Sequence, residues 1–106
     1  MADYKESDPF YHTAAWKRAR QAALMRDHGM CRECMDRMRA GIGVRPNRAT
    51  MVHHVIPRSE RPDLELVLDN LISLCPLHHR DAEDGSISRA KLRALAEHPP
   101  RWSAKL

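Results

Sequence analysis

The sequence predicts a small α+β protein that a bound metal ion holds together, and three observations point to this class. Helical patterns cover residues 9–28 and a stretch that ends at Glu97, while residues 49–55 and 70–74 form short apolar runs typical of strands. Two pairs of Cys and His residues flank these runs at metal-ligand spacing. A chain of 106 residues buries a small share of its surface, so a bound metal would add stability that its core lacks.

The first predicted helix begins at Asp8-Pro9, where an N-cap residue precedes a proline at the first helical position. Gly29 ends it, because glycine readily adopts the left-handed conformation that follows many helices. Cys31 and Cys34 come next, on a predicted tight turn. A loop that contains two glycines and a proline then leads to the first strand.

The first predicted strand carries two adjacent histidines, His53 and His54, and Pro57 begins the polar loop that follows it. Residues 64–68, with the sequence Leu-Glu-Leu-Val-Leu, are predicted to be either a short helical or a short extended piece. The second strand leads into Cys75, where a tight turn continues as a short helix.

The last predicted helix is capped by Ser86 or by Ser88 and stops before a pair of prolines. No repeat or low-complexity linker divides the sequence, so we expect a single domain. Its predicted limits are residues 1–106 for the domain, about 16–84 for the core, and 1–8 and 99–106 for flexible tails.

The charge of the chain is basic, with 18 Lys and Arg residues against 14 Asp and Glu residues and a net charge of +4. This balance suits a polyanionic partner such as nucleic acid, although a merely soluble basic protein would show it too. No apolar stretch is long enough for a signal peptide or a membrane span, so we expect no membrane partner and a cytoplasmic location. Cysteines stay reduced there, and a Cys-x-x-Cys pair then indicates metal or redox chemistry.

The predicted zinc ligands are two pairs with two residues between the members of each, Cys31 with Cys34 and Cys75 with His78. Three thiolates and one imidazole form a common tetrahedral structural zinc site. The bound ion would close the long loop between the two pairs. His79 is the alternative fourth ligand, but the spacing favours His78. A redox role of the first pair lacks the βαβ pattern that it requires.

The remaining histidines lie in two segments that resemble a known protein family. The segments "VHHVIP" and "DNLISLCPLHH" together resemble the HNH endonuclease family, over roughly residues 16–84. That family has an Asp-His or His-His pair on a first strand, an Asn-Leu before a second strand, and a His at the start of a helix. The matching positions here are His53-His54, Asn70-Leu71 and His79. His78 stands where the family usually has cysteine, and histidine is also a competent zinc ligand.

The resemblance implies a ββα-metal (His-Me finger) core with flanking helices, and it implies a role for each matching residue. His53 and His79 would bind a catalytic divalent metal ion. The candidate ions are Mg²⁺, Mn²⁺, Ni²⁺ and Zn²⁺. His54 would be the general base that deprotonates the attacking water. Asn70 would hold the segment that carries His54, and Glu83, one turn after His79, would be a further metal ligand, with Asp84 or water alone as rivals.

The chemistry of phosphodiester hydrolysis agrees with this division of roles. An imidazole with a pKa near its ordinary value of about 6.5 accepts a proton from water near neutral pH. Neighbouring side chains on a strand point to opposite faces, which separates the base from the metal ligand. Arg58, in the loop after the strand, is the predicted phosphate clamp, with Arg61 and Arg80 as rivals.

Two functions remain open at this point. The first is a metal-dependent endonuclease that nicks or cuts DNA and leaves 5′-phosphate and 3′-hydroxyl ends, as the family does. The second is a non-catalytic zinc-ribbon module that binds nucleic acid or a protein. The resemblance also suggests a phage or bacterial setting, in which a phage terminase or restriction-system proteins would be partners.

Overall fold

A computed structural model describes residues 8–42 and 45–98, and it confirms a small α+β fold. The tails expected at residues 1–8 and 99–106 lie outside the described residues except for Asp8. No helix in the described ranges is long and apolar enough to cross a membrane. The helices and strands, in chain order, are α1 (Ala14–Arg26), α2 (Arg32–Arg39), β1 (Met51–His54), β2 (Leu71–Leu74), α3 (Pro76–Glu83) and α4 (Arg89–Glu97).

The two strands form an antiparallel pair around which the helices pack. His53 lies opposite Ile72 and His54 lies opposite Leu71. Residues that face each other across an antiparallel pair share one side of the sheet, and consecutive residues alternate between sides. His53 is therefore on the side that carries Ile72, and His54 is on the other side with Leu71.

The single helix predicted for residues 9–28 is two elements, because the backbone is extended at Thr13. Asp8 caps a 3-10 turn over Pro9–His12, as its side chain accepts a hydrogen bond from the Phe10 amide. Thr13 then caps α1 by accepting a hydrogen bond from the amide of Trp16 at 3.2 Å. Two successive caps thus divide a segment that composition alone predicts as continuous.

Helix α2 was not predicted, since this segment was expected to be a tight turn followed by a loop. Cys31 is its N-cap, and the Cys31 sulfur accepts a hydrogen bond from the Cys34 amide at 3.5 Å. A helix of eight residues is unstable alone in water, so tertiary contacts must hold it. Glu33 supplies such a contact: it is 2% exposed, and one of its carboxylate oxygens lies 3.0 Å from the Lys91 ammonium of α4.

The other predicted elements are present with shorter limits. The strands begin and end within two residues of residues 49–55 and 70–74. Residues 64–68 are neither one helix nor one strand, because they join two 3-10 turns, Pro62–Leu64 and Leu68–Asn70. Ser88, and not Ser86, caps the last helix by accepting a hydrogen bond from the Lys91 amide.

The buried core extends beyond residues 16–84 at both ends. One cluster joins the 3-10 turn and α1 to the sheet and includes Tyr11, which is 6% exposed. A second cluster lies under α2 and α4 and includes Leu92 and Ala96, which are at most 1% exposed. The flanking helices therefore contribute buried residues on both sides of the region that the resemblance covers.

A buried network of charged side chains connects α1, α2, β2 and α4. Asp27 has no exposed surface and accepts hydrogen bonds from Arg26 at 2.8 Å and from Arg32 at 2.9 Å. Its second oxygen also accepts a hydrogen bond from the amide of Ser73 in β2. Arg32 donates in addition to the carbonyl of His98, just after α4. The carboxylate therefore joins α1, α2 and β2 directly, and Arg32 extends the network to the end of α4.

Candidate active site and metal centre

The four predicted zinc ligands meet on one side of the sheet. Cys31 and Cys34 come from the start of α2, and Cys75 and His78 come from the first turn of α3. All four are buried, and their ligand atoms lie within 4.8 Å of one another. Among the described residues, this is the one group of three or more candidate ligands whose donor atoms converge in this way.

The spacing of these atoms fits a tetrahedral zinc ion. With Zn–S bonds of about 2.3 Å and Zn–N bonds of about 2.0 Å, a tetrahedron has S···S edges of about 3.8 Å and S···N edges of about 3.5 Å. The Cys34 and Cys75 sulfurs are 3.9 Å apart. The His78 Nδ1 atom lies 3.4, 3.4 and 3.5 Å from the sulfurs of Cys31, Cys34 and Cys75. The cluster thus fits a structural zinc site.

The structure also separates the positions of the two adjacent histidines of α3. His78 points into the sulfur cluster through Nδ1, whereas the His79 ring lies beside His53 with its centroid 5.3 Å away.

Burial raises the pKa of the Cys31 thiol well above its ordinary value. Zn²⁺ binding therefore has to displace a proton from this thiol, as a thiolate is the form that coordinates zinc.

The three predicted ligands of a second metal lie together at the junction of β1 and α3. The His53 and His79 rings meet edge to face, and the Nε2 atom of His79 is 3.2 Å from a carboxylate oxygen of Glu83. Glu83 lies one helical turn after His79, as the sequence indicates. Asp84, its predicted rival, is exposed and accepts a hydrogen bond from the Ser86 amide instead.

The electrostatic environment keeps both imidazoles neutral. Burial, together with the nearby His79, His54 and Arg89, lowers the pKa of His53 to about 3. Burial also lowers the pKa of His79, against the opposing effect of Glu83. A neutral imidazole has the lone pair that a metal ion requires. Two neutral imidazoles and one carboxylate suit a divalent transition metal such as Mn²⁺, Ni²⁺ or Zn²⁺.

His54 lies on the opposite side of the sheet, 4% exposed, against the aromatic residues of the N-terminal region. Its ring stacks on Trp16 of α1 with centroids 5.1 Å apart and planes inclined by 28°. Its Nε2 atom is 3.0 Å from the backbone carbonyl of Glu65. A carbonyl oxygen only accepts hydrogen bonds, so Nε2 carries the proton and Nδ1 is the ring atom able to accept one.

Asn70 connects the end of β1 to the loop that contains Glu65. Its Oδ1 atom accepts a hydrogen bond from the Ile56 amide at 2.9 Å, and its Nδ2 atom donates to the Ile56 carbonyl at 3.1 Å. The same Nδ2 atom donates to the carbonyl of Leu64 at 3.3 Å. The side chain thus fixes the residue directly before the carbonyl that bonds to His54.

Arg58, the predicted phosphate clamp, has carboxylate partners in this structure. It contacts Asp8 at 2.9 Å and Glu65 at 3.1 Å, and its guanidinium lies 3.8 Å from the centre of the Phe10 ring. Phosphate binding by Arg58 would have to compete with these contacts. Of its rivals, Arg61 is exposed and paired with Asp63, and Arg80 is exposed on α3.

A cleft of about 900 Å³ opens beside these residues. His53 and Glu83 line one part of it, and Arg58 and Glu65 line another. Arg89, at the start of α4, also lines it. Two of the three metal ligands predicted from the sequence, His53 and Glu83, therefore face this cleft.

Two features of the site were missed at the sequence level. The Glu65 carbonyl that bonds to His54 is a backbone group, and no residue type marks such a role. The stacking of His54 on Trp16 was also missed, although a tryptophan in an alanine-rich helix is a signal of burial.

Comparison with known proteins gives two matches that cover this region. A family model described as HNH endonuclease matches residues 31–85. The crystal structure of an HNH endonuclease of the deep-sea thermophilic bacteriophage GVE2, with manganese ion, is similar to this chain at 32% identity and a TM-score of 0.63. The match covers 76% of this chain and 84% of that one. No curated protein matches the chain.

The family match includes both pairs of predicted zinc ligands, both strands and α3. Helices α1 and α4 lie outside it, and they supply Trp16 behind His54 and Arg89 at the cleft. The matched region therefore contains the metal-binding core, and the surrounding helices complete the walls of the site.

Proposed function

The chain belongs to the HNH endonuclease family, and on that premise we propose that it hydrolyses DNA phosphodiester bonds with His54 as the general base. The family makes it a metal-dependent nuclease that acts on DNA. The observation that carries the residue assignment is the division of the two adjacent histidines. His53 lies beside His79 and Glu83 at the cleft, whereas the His54 ring is fixed by Trp16 and Glu65.

The tautomer of His54 supports its proposed role as general base. Because Nε2 donates to the Glu65 carbonyl, Nδ1 accepts the proton of a water molecule, and that water attacks phosphorus. The carbonyl also stabilises the imidazolium that forms, since it accepts a stronger hydrogen bond from the charged ring. Stacking on Trp16 holds the ring in place, so little orientation is lost during the reaction.

His53 and His79 are the proposed ligands of the catalytic metal, with Glu83 as a third ligand or as the group that orients His79. A divalent cation bound here supplies Lewis-acid stabilisation of the charge on the phosphoryl and leaving oxygens. The neutral state of both imidazoles leaves them ready to bind it. Arg58 is the proposed clamp for a non-bridging phosphate oxygen, in competition with its present carboxylate partners.

The test of this function is cleavage of a supercoiled plasmid with added Mg²⁺, Mn²⁺ or Ni²⁺. We expect metal-dependent conversion to nicked or linear DNA with 5′-phosphate ends. His54→Ala should lower the cleavage rate by at least about 100-fold, because it removes the general base, while DNA binding in a gel-shift assay stays unchanged. Equal rates for the variant and the wild type would refute the assignment of the base.

Asn70 is proposed as a positioning residue for His54. Asn70→Ala should lower kcat by about 10- to 100-fold with little change in KM, because the Glu65 carbonyl loses its anchor but the DNA contacts remain. Loss of its hydrogen bonds should also cost about 1–3 kcal/mol of unfolding free energy. Single-turnover kinetics with excess enzyme would measure the rate, and an unchanged rate in the folded variant would contradict the role.

The competing interpretation, a non-catalytic zinc-ribbon module, has no use for the second cluster of His53, His79 and Glu83. If the wild type binds plasmid DNA but cleaves none with any of the three cations, this module is the better description. Either outcome leaves the structural zinc site unaffected, because its four ligands are a separate group.

The biological setting proposed for this nuclease is the cytoplasm of a bacterial or phage-infected cell. Similarity to a bacteriophage enzyme supports the phage setting. A phage terminase is the proposed protein partner there, and restriction-system proteins are the alternative in an uninfected bacterium. Purification of the tagged protein with each candidate co-expressed would distinguish the two.

A further inference from the structure

The residues that line the cleft include an arginine, Arg89, for which no role was predicted. Arg89 is the first residue of α4 and lies beyond the region that the family model matches. It lines the same cleft as His53 and Glu83. Its side chain is 56% exposed, so it is accessible to a polymer that enters the cleft from solvent.

Arg89 is held by one carboxylate that also lines the cleft. Its two terminal nitrogens lie 2.9 and 2.6 Å from the two oxygens of Glu60, in the loop after β1. In the part of the chain that the structure describes, Glu60 is its one ion-pair partner. A guanidinium that binds a carboxylate through two parallel hydrogen bonds presents the same geometry to a phosphate.

The contrast with Arg58 indicates that Arg89 is a further arginine that the substrate recruits at lower cost. Arg58 is 21% exposed, contacts two carboxylates and covers the Phe10 ring. The pair of Arg89 with Glu60 is exposed on both sides, and such pairs contribute little stability because water solvates the separated charges well. Exchange of one carboxylate for a phosphate therefore has a low cost at Arg89.

The position of Arg89 is well defined although its side chain is exposed. Helix α4 is anchored by Leu92 and Ala96, which are at most 1% exposed, and by the ion pair of Lys91 with the buried Glu33. The backbone that carries Arg89 is thus tied to the same helix that supplies two zinc ligands. An arginine on a fixed helix selects a phosphate at a defined place in the cleft.

We propose that Arg89 binds a backbone phosphate of the DNA in the cleft, and that Glu60 occupies Arg89 until DNA displaces it. This inference rests on the proposed function, since it assumes that DNA enters the cleft beside His53. Glu60 then acts as an internal competitor of the substrate, so that its removal strengthens DNA binding while removal of Arg89 weakens it.

The test is a double-mutant cycle of DNA affinity with Glu60→Gln, Arg89→Gln and the double variant. Fluorescence anisotropy of a labelled duplex, without added divalent cation and over a series of salt concentrations, measures the Kd. Arg89→Gln should weaken binding about tenfold and lower the salt slope by about one unit. Glu60→Gln should strengthen binding about two- to fivefold, and only when Arg89 is present.

The matched controls are Arg93→Gln and Glu97→Gln, which alter an exposed Arg–Glu pair on the same helix. They report the effect of a general change in charge, and we expect each to change the Kd less than its counterpart in the cleft. If Arg89→Gln binds like Arg93→Gln, or if Glu60→Gln strengthens binding equally without Arg89, the inference is wrong. A wild type that cleaves plasmid in the same preparation shows that only this inference has failed, whereas a wild type that neither binds nor cleaves refutes the proposed function as well.

Discussion

Replacement of His78 by alanine is expected to unfold the protein, whereas replacement by cysteine should leave it folded with one zinc ion bound. His78 completes a buried tetrahedral group with three cysteines, and cysteine is an equally competent ligand. Structural zinc contributes about 10–16 kcal/mol in zinc-finger peptides, while whole domains are stable by only about 5–15 kcal/mol. Loss of the ion therefore exceeds what a core of this size can compensate.

The measurements are native mass spectrometry for the bound ion and circular dichroism for the fold. Wild type and His78→Cys should each retain one zinc, and a strong chelator should abolish the cooperative thermal transition of both. His79→Ala is the matched control, because this neighbour points away from the sulfurs toward His53. A His78→Ala variant that melts cooperatively at the wild-type temperature would show that the cluster is dispensable for folding.

Asp27→Ala is the second large effect that we expect, with a loss of about 3–5 kcal/mol in the free energy of unfolding. The carboxylate has no exposed surface and is the shared acceptor for Arg26 and Arg32. Its removal leaves two guanidinium groups, which are 10% and 4% exposed, without their common counter-charge. Burial of a charge without its partner costs far more than the pair contributes when it is intact.

Urea titration followed by circular dichroism would measure this loss. Glu97→Ala removes the acid of an exposed pair with Arg93 and should leave the midpoint nearly unchanged. Asp27→Asn keeps the shape of the side chain and removes only its charge, so it should fall between Asp27→Ala and wild type. If Asp27→Ala unfolds at the same midpoint as Glu97→Ala, the buried network has no role in stability.

The zinc ligands and the strand pair were predictable because their signals are local. Two residues between Cys31 and Cys34, and again between Cys75 and His78, describe a chelate that needs no knowledge of the rest of the fold. The strands were predictable from short apolar runs that end at polar residues or prolines. The choice between His78 and His79 also followed from spacing, and the structure places His78 among the sulfurs.

Helix α2 and the network around Asp27 were not predictable in the same way. The segment Arg32–Arg39 is mostly polar, and its helix depends on partners elsewhere in the chain, such as Lys91. Charged residues are normally at the surface, so no local pattern marks Asp27 and Arg32 as buried. Both features depend on long-range contacts, and a single sequence does not reveal which charges pair across the fold.

The candidate site was predictable in its residue types but not in its supports. The resemblance indicated His53, His54, Asn70 and His79, and their roles stay predictions until the activity is measured. The contact of the Glu65 carbonyl with His54 depends on the geometry of a loop, and the ion pair of Arg89 with Glu60 depends on the position of α4. A sequence motif does not encode either of these.

The register of the strand pair has a consequence for how this gene can change. Because side chains alternate across β1, an insertion or deletion of one residue before His53 would exchange the surroundings of the two histidines. The ring that now meets His79 would stack on Trp16, and the other would enter the cleft. The two histidines are chemically identical, and the side of the sheet that each one faces depends only on whether it occupies an odd or an even position along β1. A change of one residue in the length of β1 therefore moves every later side chain of the strand to the other side of the sheet, whereas a substitution alters one side chain alone.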